Sequence, residues 1–390
     1  MKTTAKNQNA LLNIFLGTSC FLLMFQLYCI APLLPAYTGE FNSSLLNMAI
    51  PAFAIPFATA AACMVLSPST FKKPEWWIAL SLLAMSSGSL LLSTVGSAEV
   101  FLLNRMLTGV GTGTMLPSAL VLATRSADKK ESFSNMIRII LSLATGMTFA
   151  PSIGGWLNES LGWRSLFQVV GMISALLWLL FIMFNIRNKS ISYRQIRMVE
   201  RESNLHIIWK GRKIYSFVFL SGVFHSGVFV WISYYFTLQY KLGAYDLGTA
   251  LFIFGLPGLT VAILLFRMNQ DTSGVRILYS GLALTILGLL VMMQHLPLWL
   301  AECLLALMSL GFSLSQPLFI GILKLPKAGL SAGTLFAIGS GILFAGYGSG
   351  PLIMAALLES QKYAGIGFLV FVVIVMAGLG SYVTSGTHPG

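Results

Sequence analysis

The chain has 390 residues, 56% of them hydrophobic and only 9% charged, with a formal net charge of +12; its mean hydropathy is +0.81. Soluble domains carry roughly 25% charged residues, so this composition cannot cover a water-facing globule, and it excludes collagen-like, disordered and disulfide-scaffold chains as well. Twelve membrane spans of about 20–25 residues would use roughly 240–300 positions and leave no room for a soluble catalytic domain.

Apolar runs of spanning length, bounded by charges, Gly/Pro pairs or polar clusters, occur twelve times. Lys2 and Lys6 precede the first run, 10–37, which is too long for the roughly 7–15-residue core of a cleaved signal peptide and reads as a first span. The runs 45–66, 76–96, 99–123, 133–157 and 165–186 follow. A basic stretch, 187–213, reads as a cytoplasmic linker, and 214–240, 246–266, 276–294, 298–322, 331–357 and 363–383 complete the set. Continuous apolar runs lack the alternation of barrel strands, so helix is the expected form throughout. The expected fold class is therefore all-α, a polytopic membrane protein with twelve transmembrane helices. The expected division is a six-helix bundle over 1–186, the linker 187–213 and a second six-helix bundle over 214–390.

Charge fixes the orientation. With both termini in the cytoplasm, 20 of the 24 lysines and arginines fall on the inner face, Arg164, Lys241 and Lys362 fall outside, and Arg105 stays within the membrane. The basic balance thus tracks one membrane face rather than a groove, and nucleic acid is excluded as its cause. Cys20, Cys29, Cys63 and Cys303 lie in apolar runs without metal-ligand spacing and read as packing residues; no metal or cofactor is expected.

The two halves repeat. At an offset of 200, Gly111 meets Gly311, Pro117 meets Pro317, Gly146 meets Gly346 and Pro151 meets Pro351, while Leu157, Glu159 and Ser160 meet Leu357, Glu359 and Ser360. Pro56 meets Pro257 at an offset of 201. In a chain with 14 prolines these coincidences indicate duplication. Parallel six-span repeats are the architecture of secondary transporters that rock about a central site.

Several motifs stand out within that frame. The first span ends in Tyr28-Cys29-Ile30-Ala31-Pro32-Leu33-Leu34-Pro35, the fourth carries Asn104-Arg105 followed by Gly109, Gly111 and Gly113, and the fifth carries Gly146 and then Ala150-Pro151-Ser152-Ile153-Gly154-Gly155. Trp163, Arg164 and Phe167 open the sixth. Small residues let helices approach closely, and Pro151 removes a backbone donor and bends its helix. These stretches resemble the P-x-L-P exit, the R-x-x-x-G-x-G motif, the G-P-x-x-G-G antiporter motif and the W-R-x-x-F opening of the major facilitator superfamily, in particular its twelve-span drug:proton antiporter branch. Ala150 replaces the first Gly of the antiporter pair. The resemblance implies that the bend around Gly146, Pro151, Gly154 and Gly155, with Pro351 in the second half, controls leakage where the halves meet. A tightly packed helix pair without that role is the alternative.

The loop between spans two and three departs from the family pattern G-x-x-x-D-R-x-G-R-R. It reads Leu66-Ser67-Pro68-Ser69-Thr70-Phe71-Lys72-Lys73-Pro74, and only the basic pair Lys72 and Lys73 survives. The corresponding second-half loop keeps Asp271, Gly274 and Arg276, so the cytoplasmic gate is expected to rely on it. A solvated turn with ordinary charges is the alternative.

Charges at membrane depth are costly, which makes Arg105, His225 and Glu302 the proton-coupling candidates. His225 lies about 16 Å along the helix from Ile214, roughly half of a ~30 Å core. An imidazole there can exchange a proton near neutral pH if it faces water; otherwise it is a neutral residue bonded to a neighbouring helix. Arg105 occupies a position that the family associates with proton coupling; its other reading is a structural donor to span-one carbonyls. Glu302 reads equally as an interfacial carboxylate. The first span holds no acidic residue, with Gln26 the polar residue nearest its middle. A cavity of neutral to positive fixed charge follows, favouring neutral or anionic substrates over lipophilic dications.

Gln26, Tyr28, Trp231, Tyr234, Tyr235, Gln316 and Phe336 are the cavity candidates, each with lipid-facing or core packing as the alternative. The combined expectation is a monomeric multi-pass transporter of a bacterial inner membrane, with protons, a small organic molecule and the lipid bilayer as partners. It is expected to export its substrate by alternating access and to be no enzyme. Export of a specific metabolite such as a siderophore or sugar is the alternative within transport. A non-transport membrane protein is a remote one, since no P-loop, H-E-x-x-H or G-x-S-x-G motif occurs.

Overall fold

The computed structural model describes residues 2–70, 73–124, 129–187, 208–209, 211–265, 274–315, 332–361 and 363–385. Among them every regular element is helical. Nine helices among the described residues are long and apolar enough to cross a membrane: Ala10–Glu40, Leu45–Val65, Pro74–Leu92, Ala98–Ala123, Ser134–Leu161, Trp163–Asn185, Arg212–Tyr240, Ala244–Leu264 and Ala337–Ser360. Shorter apolar helices, Arg276–Val291, Leu298–Leu314 and Ala364–Gly380, occupy the places of the ninth, tenth and twelfth expected spans. Numbered together in chain order, these are spans one to twelve. Most of the expected linker, Lys72 and Asp271 of the expected gate, and Gln316 lie outside the described residues, as does the side chain of Phe336.

The helix contacts repeat between the halves. Span one packs on span five and span seven on span eleven; span two on span four and span eight on span ten; span three on span six and span nine on span twelve. The contacts between the halves repeat as well, five against eight and eleven against two. This is the arrangement of two pseudo-symmetric six-helix bundles. An even number of spans puts both termini on one face, here the terminal face; the opposite one is the distal face.

Glycines set the closest crossings. A Cβ on Gly146 would come within 2.5 Å of the Phe21 carbonyl in span one, and a Cβ on Gly346 would collide with the Phe219 carbonyl in span seven. Gly154 sits on Cys29 of span one, whereas Gly155 turns to the Ala244 carbonyl of span eight. Opposite it, Gly248 lies against the Pro151 carbonyl, where a Cβ would approach to 2.5 Å. The fifth-span motif therefore serves two seams, one within its bundle and one between bundles. Without a hydrophobic force between helices in lipid, such close backbone approach supplies much of the attraction.

Among the described residues, three spans are not continuous helices. The first stops at Tyr28, passes through a 3-10 turn at Ala31–Leu33 and resumes at Leu34–Glu40. The second breaks at Phe53 between Leu45–Ala52 and Ala54–Thr70, and the fourth breaks at Gly113–Thr114. Each break lies just before a proline, Pro32 and Pro35, Pro56, or Pro117. Proline has no N–H to give to the carbonyl four residues back and disfavours helical backbone at the residue before it.

The glycine crossings can be tested by thermal melting in detergent. Gly146→Ala and Gly346→Ala should lower the midpoint by similar amounts, because each forces a backbone carbonyl aside. Gly367→Ala, with open space around it, should leave the midpoint unchanged or slightly higher, as expected for alanine in a helix. Equal midpoints in all three would contradict the packing.

Candidate functional site

The breaks in the first and second spans create the first polar feature. Pro56 cannot donate to the Ala52 carbonyl, and the Gln26 carbonyl belongs to the last turn of the first helix, where acceptors go unfilled. Arg105 reaches both: its Nη2 donates to Ala52 O at 3.1 Å and to Gln26 O at 3.3 Å. Arg105 is 2% exposed, and its guanidinium carbon lies 6.0 Å from the ring centroid of Phe167, the aromatic of the sixth-span opening. Arg105 thus ties spans one, two and four together through backbone carbonyls. Gln26 turns the same way, its Nε2 donating to Met85 O at 3.1 Å and to Ser89 Oγ at 2.5 Å in span three.

His225 lies elsewhere, at the meeting of the two bundles. Five aromatic rings surround it: Tyr28 of span one at 5.5 Å between centroids, Phe229 one turn on at 5.2 Å, Phe254 of span eight at 5.8 Å, Phe312 of span ten at 5.9 Å and Tyr347 of span eleven at 6.0 Å. The imidazole is partly accessible, but its Nε2 is buried without a hydrogen-bond partner. The buried Tyr28 hydroxyl faces Tyr347 without hydrogen-bond geometry. A cavity of about 10 Å³ adjoins this box, lined by Tyr28, Phe53, Pro56, Ser226, Phe229 and Tyr347. That is about the smallest space able to hold one water. Among the described residues, the rings therefore leave little free space beside Nε2.

The other candidates divide. Tyr28 is in the box. Trp231 stacks on Tyr235 at 5.1 Å and lies against Gly365 of span twelve, and the Tyr235 hydroxyl donates to Met292 O of span nine at 3.4 Å. These two therefore extend the packing toward the distal end of span seven, away from the histidine. Tyr234 is half-buried against the core. Glu302 is half-buried about one turn into span ten, with Asp246 of span eight as its charged neighbour. Lys73 and Arg276 are exposed at the terminal face, where Gly274 opens span nine. The described acidic residues all lie within about one turn of a span end. None of the rings around His225 brings a carboxylate to it.

Phe229, Phe254, Phe312 and Tyr347 were not legible as site residues. In a chain with 12% aromatic residues, a ring at helical spacing carries no signal of its own. Glu40 was also silent in the sequence. It pairs with Arg164 at 2.5 Å and accepts the Trp163 indole N–H, while Arg164 donates to Val95 O at 2.9 Å. The sixth-span opening thereby sews three distal loops of the first half together.

Residues 16–324 match the Major Facilitator Superfamily. The chain belongs to that family. Its relatives include the probable sugar efflux transporter of Pasteurella multocida, 26% identical over 65% of this chain and 61% of the relative. The aspyridones efflux protein of Neocamarosporium betae is 27% identical over 42% of this chain and 29% of the relative. The multidrug resistance protein B homolog of Mycobacterium tuberculosis is 30% identical over 23% and 16%. The chain thus spans less than two thirds of the length of these relatives. A bacterial homolog of the human lysosomal transporter Spinster, solved inward-facing and unoccupied, superposes with a TM-score of 0.69 at 12% identity over 97% of both chains. That likeness carries the major facilitator fold.

The position of Arg105 gives a measurable consequence. Arg105→Leu removes the donor to Ala52 O and leaves Gln26 O only the weak Cys29 thiol, each lost bond worth about 1 kcal/mol in stability. Its melting midpoint in detergent should fall by several degrees, and Arg105→Lys should recover part of the loss through one remaining donor. A midpoint for Arg105→Leu equal to that of the unaltered protein would show that the guanidinium does not hold the three spans.

Proposed function

We propose that this protein is a secondary transporter that exports a small neutral or anionic organic molecule by alternating access, in exchange for protons. In this reading it works as a monomer in a bacterial inner membrane, with the terminal face in the cytoplasm and the distal face outside. The bundles are 1–186 and 214–390, joined by the basic linker. The observation that carries the proposal is the aromatic box around His225, built from both bundles and holding one unpartnered imidazole nitrogen.

The chemistry follows from access. An imidazole exchanges protons near neutral pH, but only if water reaches Nε2. Nε2 is buried among the rings, so a proton can arrive or leave only when they part. An apolar molecule seated among the same rings displaces that water. Proton and substrate then exclude one another, which is the requirement for exchange. A proton crossing at 100 mV contributes about 2.3 kcal/mol, enough for a tens-fold substrate gradient. With the described carboxylates kept to the span ends, and Arg105 and His225 the ionisable groups at depth, the fixed charge supports neutral and anionic molecules over lipophilic dications.

Export of one specific metabolite is the second reading. It is supported by the sugar efflux relative, which shares the longest aligned stretch of the three relatives described above. Aromatic faces also stack on sugar rings, and Tyr28 and Tyr347 bring hydroxyls to the site.

Proteoliposomes carrying a pH indicator provide the test, with a panel of neutral, anionic and dicationic compounds including neutral sugars. Substrate-dependent proton flux is expected for neutral or anionic compounds and should be lost in His225→Ala. Response to a single compound class would favour the metabolite reading. Undiminished flux in His225→Ala would remove the histidine from coupling, and strong export of a divalent cation would overturn the charge preference.

A further inference from the structure

We propose that Glu159 and Glu359 form a two-fold repeated latch that holds the distal ends of the bundles together and must release before that face can open. The proposal rests on the rocking motion put forward above and adds to it the residues that set the balance between its states.

Glu159 lies at the distal end of span five, and its Oε1 accepts the Tyr245 N–H at 2.9 Å. Glu359 lies at the distal end of span eleven, and its Oε1 accepts the Leu46 N–H at 2.8 Å. Both acceptors sit at the C-terminal end of one helix, and both donors are the second residue of another, Ala244–Leu265 or Leu45–Ala52. The first N–H groups of a helix have no partner within it, and its N-terminus favours negative charge. The residue before span eight is Gly243, which has no side chain to cap it. Before span two, Ser44 accepts only the Asn47 N–H, leaving Leu46 to the glutamate. Each carboxylate therefore supplies a missing cap, and supplies it from the opposite bundle.

The exchange is reciprocal. The first half gives Glu159 and receives Glu359, as in a symmetric dimer interface where one patch meets its own copy. Both bonds exist only while the distal ends touch. Beside the first, Gly155 lies against the Ala244 carbonyl, and nearer the centre Ser233 Oγ of span seven donates to Ala31 O of span one at 3.0 Å. Both glutamates are exposed, so water competes for them. A pair of weak, solvent-accessible caps suits a contact that must open in every cycle, since a buried charge pair would be costly to separate. The carboxylates are positioning residues: they touch neither proton site nor substrate box.

Pulsed EPR distances on the full chain in lipid nanodiscs test this, in a Cys303→Ser background because Cys303 is exposed. Labels at G96C and Q294C report the distal face, and labels at K73C and R276C the terminal face; all four positions are exposed. Glu159→Ala and Glu359→Ala should each lower the closed-to-open ratio at the distal face by about threefold, the scale of one exposed cap. Together they should lower it about tenfold, because well-separated sites add. Glu159→Gln keeps an acceptor without the charge and should fall between. Glu99→Ala is the control: Glu99 is exposed on the same face but bonds within its own helix start, and it should shift nothing. Two exchanging populations whose ratio ignores both glutamates would overturn the latch and leave the transport reading standing. An equal shift in Glu99→Ala would overturn it too, by showing a general charge effect. A single fixed distance on both faces of the unaltered protein would remove the rocking motion and the latch with it.

Discussion

A backbone carbonyl in lipid must find a donor within the protein, and in this chain prolines repeatedly take one away. Pro56 deprives Ala52, and Arg105 answers. Pro117 deprives Gly113, and the Cys63 thiol donates to that carbonyl at 2.8 Å. Pro35 leaves Ala31 with only the 3-10 bond from the Leu34 N–H, and Ser233 of the opposite bundle donates to the same carbonyl from across the divide. In each case the replacement comes from a different span. A helix break that would be a defect in isolation becomes a bond between helices. The same substitution explains how an arginine without a carboxylate partner can be kept at membrane depth: two orphaned carbonyls replace the water its guanidinium gave up.

The glycine seams complement those bonds. Gly146 and Gly346 seat spans five and eleven on spans one and seven within each bundle, and Gly155 and Gly248 seat five on eight across the divide. The seam between spans eleven and two is looser. There Gly348 meets the Phe57 ring and Gly341 meets the flexible Met64 side chain in addition to the Ala60 carbonyl. A backbone-to-backbone seam on one side and a side-chain seam on the other give the two crossings different stiffness, although the helices themselves repeat.

Much of this was legible in the sequence, and for definite reasons. Twelve apolar runs place the helices because the length of a span is dictated by the bilayer. The offset of 200 brought Gly146 to Gly346 and Glu159 to Glu359 because both pairs serve geometry, which duplication copies. The interruptions at Phe53 and Gly113 were not foreseen, although Pro56 and Pro117 announced them. An apolar run reads alike whether its helix is continuous or broken. The box around His225 was half visible: depth along span seven singled out the histidine, but not the rings facing it. Phe254, Phe312 and Tyr347 come from three other spans, and no local pattern says which face of an all-apolar helix turns to the centre. The contacts of Trp231 and Tyr235 were hidden for the same reason: one lies against span twelve and the other reaches Met292 O at the end of span nine.

The departures from symmetry are as informative as the repeat. Because Gly146 lies on Phe21 and Gly346 on Phe219, the structural register sets His225 opposite Leu27 and Gln26 opposite Phe224. In the fourth and tenth spans, the register of Gly111 and Gly311 sets Arg105 opposite Leu305. Each of these three groups thus has an apolar counterpart in the other half. The shared elements, glycine crossings and distal glutamates, are those that join helices within and between the halves. The unshared ones divide the work: the first half spends its arginine and glutamine on holding its own helices, and the second presents an unpartnered imidazole to the centre. A rocking frame can be duplicated, but a single central site lies on the axis that relates the halves, and one residue of a duplicated pair suffices to equip it. That asymmetry is what the proposed single binding site at the middle of an inherited two-fold frame would require.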